Sequence, residues 1–315
     1  MADREFIFVH NRSSGANDAQ ALHDLIECRM RDAGATYRFL SVREIDQLTS
    51  RPDACAHATI VAVGGDGTVN SAARAALQLR RPFAIIAAGT FNFVARSNAI
   101  PELPEQAIDV LLHGQITPVQ VGSVNGQPFL VNACIGLYAK VLREREQIKQ
   151  TIGRSRAVAV MAAVLTALRP YRGLDIELRG SSGITRQQAA TFFVGNNRLQ
   201  FDLVGIEQAD LAGNGQLLAV LLPRVGVMSL LSIIIAAALG RAGSIARLVS
   251  FPLKTVQVDI RTGRRRRIRV AIDGELHEMK LPLQIGSMAE PLRLLCPRRT
   301  LPVPQPVPAT IGTVT

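Results

Sequence analysis

The feature that most constrains this chain is the stretch TIVAVGGDGTVNSAARAA at residues 59–76, where an apolar run ends in clustered glycines. Residues 60–63 read as a short buried strand, and residues 69–79 repeat small and apolar side chains at helical spacing. A strand that turns through glycine into a helix points free backbone N–H groups at one spot, where a ligand can approach closely. Because a helix N-terminus favours an anion, residues 64–68 predict a phosphate-binding turn.

Two familiar phosphate loops do not match this turn. No Gly-Lys pair occurs in the chain, so the Walker A loop is excluded, and residue 70 is Asn70, so G-x-G-x-x-G does not fit either. An interpretation without any ligand is also open, in which Asp66 only caps the helix.

Composition limits the class of partner. With 315 residues the chain suits two domains, and its formal net charge of +11 favours an anionic partner. Trp is absent and aromatics make up 4% of the residues, which argues against the stacking platforms of nucleic-acid binders. The basic run at residues 264–267 fits either an anionic lipid surface or a solvated strand edge.

Cysteine usage and hydropathy indicate a reduced, cytoplasmic protein. The 4 cysteines are scattered without a C-x-x-C pair, and the N-terminal MADREFIFVH carries charges where a signal peptide would be apolar. The apolar stretch at 217–239 is interrupted by Pro223 and Arg224, which leaves about 15 residues where a spanning helix needs roughly 20. A core helix and a peripheral membrane contact both fit this segment.

The order of strand and helix patterns predicts the fold. Residues 1–118 alternate between the two, which predicts an α/β domain with a doubly wound parallel sheet. Residues 119–298 predict a mainly antiparallel β domain with inserted helices, and residues 299–315 a flexible, proline-rich tail. The strands expected in this domain cover residues 119–124, 129–134, 174–178, 190–194, 217–222, 255–260, 267–272, 281–285 and 292–295. Ligands bind at the carboxyl ends of strands in such sheets, where we expect the loops at 11–15, 41, 64–68 and 89–92 to converge.

These loops together resemble the diacylglycerol kinase catalytic family, which includes bacterial lipid kinases and shares a nucleotide-binding core with NAD kinases. The family's N-P-x-S-G appears as NRSSG at 11–15, GGDGT-[VIL]-N is intact at 64–70, and P-x-G-T-x-N-x-x-A appears as AAGTFNFVA at 87–95. The D-G-E of the second domain appears at residues 273–275. Matching motifs extend from residue 11 to about residue 297.

The resemblance implies roles for individual residues. Glu275 would be the general base that accepts the proton of a lipid hydroxyl, and Asp66 would ligate the Mg²⁺ of ATP or orient the nucleophile. The residues expected to bind nucleotide lie in the loops named above: Asn11, Ser13, Ser14, Gly15, Ser41, Gly64, Gly65, Asp66, Gly67, Thr68, Asn70, Gly89, Thr90 and Asn92.

The chain departs from the family at a second, structural metal segment. The family's A-x-L-D-D-G-x-L-D has lost its acidic pair here, which leaves Asn214 and the carbonyls of Leu211 and Gln216 as ligands. Because hard cations need several oxygen ligands, we expect weaker binding of that metal.

The resemblance implies an ATP-dependent lipid kinase that transfers the γ-phosphate to a lipid hydroxyl, with diacylglycerol converted to phosphatidic acid as the default reaction. ATP and Mg²⁺ would be the cofactors, and phospholipid biosynthesis the setting. The partner would be lipid at the inner membrane surface, contacted peripherally through residues 264–267 and a helix at 228–239. The resemblance is also compatible with a dimer of this chain. One alternative is an NAD kinase, which the missing Asn-Glu pair disfavours, and another is a weakly active nucleotide- or lipid-binding relative.

Overall fold

The structure, a computed structural model, describes residues 5–10, 16–50, 56–137, 139–140, 142, 173–180, 183–203, 206, 212–213, 215–224, 226, 248–261 and 266–298. Several predicted features lie outside the described residues: Asn11, Ser13, Ser14, Gly15, Leu211, Asn214, the arginines at 264–265, the helix at 228–239 and the tail at 299–315.

Strands dominate the described part of the chain. They are β1 (Glu5–His10), β2 (Thr36–Ser41), β3 (Ala58–Gly64), β4 (Phe83–Ala87), β5 (Gln115–Val119), β6 (Gly122–Val124), β7 (Gln127–Phe129), β8 (Asn132–Gly136), β9 (Leu174–Gly180), β10 (Gly183–Gly195), β11 (Leu217–Pro223), β12 (Val249–Leu253), β13 (Thr255–Ile260), β14 (Arg267–Ile272), β15 (Glu275–Lys280), β16 (Leu283–Ser287) and β17 (Leu292–Cys296). The helices are α1 (Ala16–Asp32), a 3₁₀ turn (Val42–Glu44), α2 (Ile45–Ser50), α3 (Asp66–Leu79), α4 (Phe93–Ser97), α5 (Pro104–His113) and α6 (Arg198–Leu203).

The first sheet has the strand order β2-β1-β3-β4-β17-β5. The first five of these strands are parallel to one another, and β5 is antiparallel to β17. Alternate residues of its strands face opposite layers of helices, as period-two side chains require. Phe8 and Val61 pack in the cluster that contains residues of α1 and α5, whereas Ile7 and Ile60 pack in the cluster that contains residues of α3. The predicted doubly wound α/β sheet is confirmed.

The second sheet is antiparallel and has the order β15-β14-β8-β10-β9-β13-β16-β6-β7, with β11 paired to β10 and β12 paired to β11. Its core gathers apolar residues from most of these strands, among them Phe129, Phe192 and Val258. The predicted mainly antiparallel β region is confirmed, whereas most residues of its predicted inserted helices lie outside the described part of the chain.

The structure corrects the strand assignment at three places. The strand expected at 119–124 is divided between β5, in the first sheet, and β6, in the second. The strand expected at 129–134 is interrupted because Leu130 and Val131 donate their N–H groups to the Asp273 carboxylate. The segment 292–296, assigned above to the second domain, returns to the first sheet as β17.

Across the part of the chain that the structure describes, no helix is both long and apolar enough to cross a membrane.

Candidate active site

The glycine-rich turn lies where β3 ends and α3 begins. The helix starts at Asp66 with Gly65 as its N-cap, so Asp66, Gly67 and Thr68 form its first turn rather than a preceding loop. Gly64 has a φ of +153°, a conformation that a side chain rarely adopts, whereas Gly65 has an ordinary φ of −85°. Gly65 is therefore not required for its backbone angles, and its role must come from close packing.

That packing is against the loop after β4. A Cβ placed on Gly89 would lie 2.6 Å from the Gly65 Cα and 2.7 Å from the Asn92 Oδ1, well inside van der Waals contact. Asn92 closes its own loop, since its Oδ1 accepts the Gly89 N–H at 3.0 Å and its Nδ2 donates to the Gly89 carbonyl at 3.0 Å. The two predicted strand-end motifs thus lie against each other, backbone to backbone.

Asp66 joins the same two motifs through its carboxylate. Its Oδ2 accepts the Asn92 N–H at 3.2 Å and its Oδ1 accepts the Phe93 N–H at 3.0 Å. Burial raises the pKa of Asp66 above its usual range, although both backbone N–H groups act in the opposite direction. An ionised carboxylate offers about four acceptor positions, and these two N–H groups together with the N–H of Asp66 itself leave about one that Mg²⁺ could use. The donor set at Asp66 therefore fits the metal of a nucleotide phosphate.

The other predicted nucleotide-binding residues fall into two groups. Thr68 and Asn70 are buried on α3, and Asn70 Oδ1 has no hydrogen-bond partner among the described residues. Thr90 is exposed in the loop after β4, and Ser41 ends β2, where its hydroxyl donates to Glu44 Oε2 at 2.7 Å. Strand register brings Ser41 level with His10 at the carboxyl ends of β2 and β1, so these loops share one edge of the sheet.

The D-G-E motif forms the tight turn between β14 and β15. Asp273 and Gly274 have φ values of +48° and +86°, the left-handed pair that a two-residue hairpin requires. The Asp273 carboxylate accepts three successive N–H groups, those of Leu130, Val131 and Asn132, at 2.8, 2.8 and 2.9 Å. Burial nevertheless raises the pKa of Asp273 to about 6. Asp273 thus anchors the turn to the start of β8 and is not directed at a substrate.

Glu275 begins β15 and contacts Arg74 of α3, a helix that packs on the first sheet. The Arg74 Nη2 lies 2.7 Å from Glu275 Oε2, and His277 Nε2 lies 3.7 Å from the same oxygen. Because Arg74 belongs to α3, this ion pair connects the helix that starts at the glycine turn with the D-G-E turn of the second sheet. The structure therefore brings Asp66 and Glu275 to elements in direct contact.

Arg74 is not among the predicted site residues. Asp66, Asn70 and Arg74 are four residues apart, which places them along one face of α3, but this spacing does not identify the partner of Arg74. Two buried polar atoms, Asn70 Oδ1 on the same helix and His277 Nε2 beside Glu275, have no hydrogen-bond partner among the described residues. Unpaired buried polar atoms are uncommon in folded proteins, so their presence here is a property expected of a polar binding site.

Gln120 contacts the described part of the segment where the family places a second metal, a site expected to be weakened here. Gln120 Nε2 donates to the Gln216 carbonyl at 2.8 Å and to Asn196 Oδ1 at 2.7 Å, while Gln120 Oε1 accepts the Gly215 N–H at 2.5 Å. The Gln216 carbonyl also accepts the Gly213 N–H at 2.9 Å, so both of its lone pairs are in use. This carbonyl does not fit a cation ligand, and the described residues contain no cluster of three or more His, Cys, Asp or Glu side chains suited to a metal.

Comparison with curated proteins finds relatives named as lipid kinases. A protein of Pseudomonas aeruginosa named "Probable lipid kinase YegS-like" is 32% identical over 160 residues, covering 48% of this chain and 50% of the relative. A protein of the same name from Cronobacter sakazakii is 28% identical over 146 residues, covering 44% of this chain and 48% of the relative. The chain therefore matches about half the length of these relatives.

Comparison with solved structures extends the likeness in fold to nearly the whole chain. A crystal structure from Bacillus anthracis str. Sterne, named for a diacylglycerol kinase, superposes with a TM-score of 0.71 at 16% identity and covers 96% of this chain and all of that one. A second structure from the same strain has a TM-score of 0.65 at the same identity. Residues 5–124, which contain the glycine turn, Asp66, Arg74 and Asn92, match the model of the diacylglycerol kinase catalytic domain. Over these residues, the chain is similar to the catalytic domain of diacylglycerol kinases.

Proposed function

We propose that the chain is an ATP-dependent lipid kinase that transfers the γ-phosphate to a lipid hydroxyl, with diacylglycerol as the acceptor. The observation that carries this proposal is the Arg74–Glu275 ion pair of 2.7 Å. Through this pair, the Glu275 carboxylate contacts α3, the helix that begins at the glycine turn. A phosphate site and a proton acceptor on touching elements are what hydroxyl phosphorylation requires.

Residues of the first sheet region would bind the nucleotide, and Glu275 of the second sheet would act on the acceptor. The N–H groups at the start of α3 and the closely packed backbone of Gly65 and Gly89 would bind the phosphates. Asp66, with an acceptor position left on its carboxylate, would hold Mg²⁺, which supplies neutralisation of phosphate charge when bound. Glu275 would accept the hydroxyl proton of the acceptor.

Diacylglycerol is proposed as the acceptor because the matching domain model carries its name, and the curated relatives are named as lipid kinases. The enzyme would then work at a membrane surface, by peripheral contact from the cytoplasmic side. Exposed basic residues are available for this contact, since Arg266, Arg267 and Arg269 are all exposed at the start of β14.

The test is transfer of labelled phosphate from ATP to a mixed lipid extract, followed by chromatographic identification of the product. We expect labelled phosphatidic acid, and we expect Glu275→Gln to reduce transfer by about 10²- to 10⁴-fold because only the proton acceptor is lost. ATP affinity should stay near that of the unmodified protein.

The matched control is Glu278→Gln, which removes an exposed glutamate from the opposite face of the same strand and should retain activity. Phosphorylation of NAD instead of lipid would replace the proposed function with the NAD kinase alternative. A Glu275→Gln variant that keeps most of its turnover would remove Glu275 from the mechanism.

A further inference from the structure

Arg74 is a residue of α3 that no matching motif includes, yet it makes the contact between the two parts of the site. We propose that Arg74 is the positioning residue for Glu275: it holds one carboxylate oxygen and leaves the other directed to the acceptor hydroxyl. This inference rests on the proposed function, in which Glu275 is the proton acceptor.

In the part of the chain that the structure describes, only one of the two carboxylate oxygens of Glu275 is engaged. Arg74 Nη2 and His277 Nε2 both approach Glu275 Oε2, at 2.7 and 3.7 Å. Within the described residues, Glu275 Oε1 has no hydrogen bond or ion pair. A charge-assisted bond to one oxygen restricts the rotation of the carboxylate, so the second oxygen is left available to the acceptor.

Three titratable groups of the β14–β15 hairpin lie close to Arg74. Asp273, Glu275 and His277 belong to the β14–β15 hairpin, and Arg74 approaches them from α3. Burial, followed by the charge of Arg74, lowers the pKa of His277, so this imidazole is neutral at pH 7. Among the described residues, Arg74 is therefore the cation that holds Glu275 near neutral pH.

The Arg74–Glu275 pair is less exposed to solvent than another ion pair of the same helix. Arg80, the C-cap of α3, lies 2.7 Å from Glu290, but its side chain is 76% exposed, against 26% for Arg74. A solvated pair such as Arg80–Glu290 restrains its partners weakly. The Arg74 pair is more shielded, and it joins α3 to β15 of the second sheet, 201 positions apart in the chain. It therefore links the helix that begins at the phosphate turn to the proton acceptor.

The experiment compares Arg74→Gln, Arg74→Lys and the control Glu290→Gln, with ATP, Mg²⁺ and diacylglycerol in mixed micelles. Arg74→Gln should lower kcat by about 10- to 100-fold, the loss expected when a reacting group is misplaced by about 1 Å. ATP affinity, measured directly by binding, should not change. Arg74→Lys should recover part of kcat because it restores the cation but not the planar guanidinium. Glu290→Gln should leave kcat unchanged.

A double variant separates positioning from a general loss of structure. If Arg74 acts through Glu275, adding Arg74→Gln to Glu275→Gln should cause no further loss of kcat. A further loss of the same size, a rise in KM for ATP with kcat unchanged, or full activity of Arg74→Gln would each overturn the positioning role alone. Absence of lipid phosphorylation by the unmodified protein would overturn the proposed function, and this role with it.

Discussion

At the scale of single residues, the site depends on two glycines as much as on the Asp66 side chain. Gly65 and Gly89 bring two backbone segments together, and Asp66 joins the same segments through the N–H groups of Asn92 and Phe93. Asp66 therefore has a structural duty in addition to the metal-binding one proposed for it. A substitution where Gly65 meets Gly89 should therefore change the shape of the phosphate site more than its charge.

Gly89→Ala tests this dependence on close packing. The new Cβ would lie 2.6 Å from the Gly65 Cα, so the two loops must separate. We expect a loss of about 1–3 kcal/mol in the free energy of unfolding, as for other overpacked positions, together with weaker ATP binding. Calorimetric titration with ATP and Mg²⁺ and denaturant unfolding would measure both effects.

The control is Gly180→Ala, because a Cβ at Gly180 meets no atom within 4 Å. It should leave ATP affinity unchanged. Unaltered ATP affinity in a folded Gly89→Ala variant would show that contact between the two loops is not needed for nucleotide binding.

At the scale of elements, hydrophobic patterns in the sequence predicted the strands and helices that depend on neighbouring residues alone. Both sheets and the strand before Gly64 follow from hydrophobic periodicity. The start of α3 was placed three residues too late because its first turn consists of Asp66, Gly67 and Thr68, which propensity assigns to loops. Arg74 was missed because its partner is 201 residues away, a distance at which spacing carries no signal. β12 and β15 were missed because polar residues interrupt their apolar pattern.

The Gln120 carboxamide gives a prediction at this scale. It ties the start of β6 to the turn before β11 and to Asn196, in a segment where the family would place a cation. Gln120→Ala should lower the free energy of unfolding by about 1–3 kcal/mol, since it leaves polar partners unsatisfied. Adding Mg²⁺ or a chelator without nucleotide should not shift Tm in the unmodified protein.

Thermal unfolding measures both effects, and Gln78→Ala, at an exposed position of α3, is the control for loss of a glutamine side chain. A rise in Tm with Mg²⁺ alone would contradict the interpretation that the amide replaces the cation.

At the scale of the whole molecule, charge is the property that bears on function. The chain has a formal net charge of +11, and Arg266, Arg267 and Arg269 are exposed beside the hairpin that ends in the D-G-E turn. Arg267 and Arg269 share one face of β14, since side chains alternate along a strand. This face could bring the acceptor side of the site to an anionic surface.

The double variant Arg267→Gln/Arg269→Gln tests that orientation. Its binding to vesicles with anionic lipid should weaken by up to about 2 kcal/mol, roughly 1 kcal/mol for each lost cation. The difference should diminish at high salt, because screening weakens binding by the unmodified protein. Sedimentation of the protein with vesicles would measure the binding.

Arg31→Gln/Arg38→Gln removes the same charge from exposed positions of α1 and β2 and serves as the control. Equal weakening by both double variants would mean that net charge alone governs binding. Unchanged binding of the β14 variant would mean that its arginines form a solvated surface.

The position of β17 between β4 and β5 has a consequence for how the protein is made. A ribosome releases β1 to β5 well before residues 292–296, and at about 5–20 residues per second the interval is roughly 10 to 35 s. Throughout that interval one edge of β4 is open and β5 has no neighbour in the sheet. An open strand edge is a template for pairing with other chains, so the nascent protein should need a chaperone until translation is nearly complete. A fragment that stops at residue 124, where the family match ends, would keep that edge permanently.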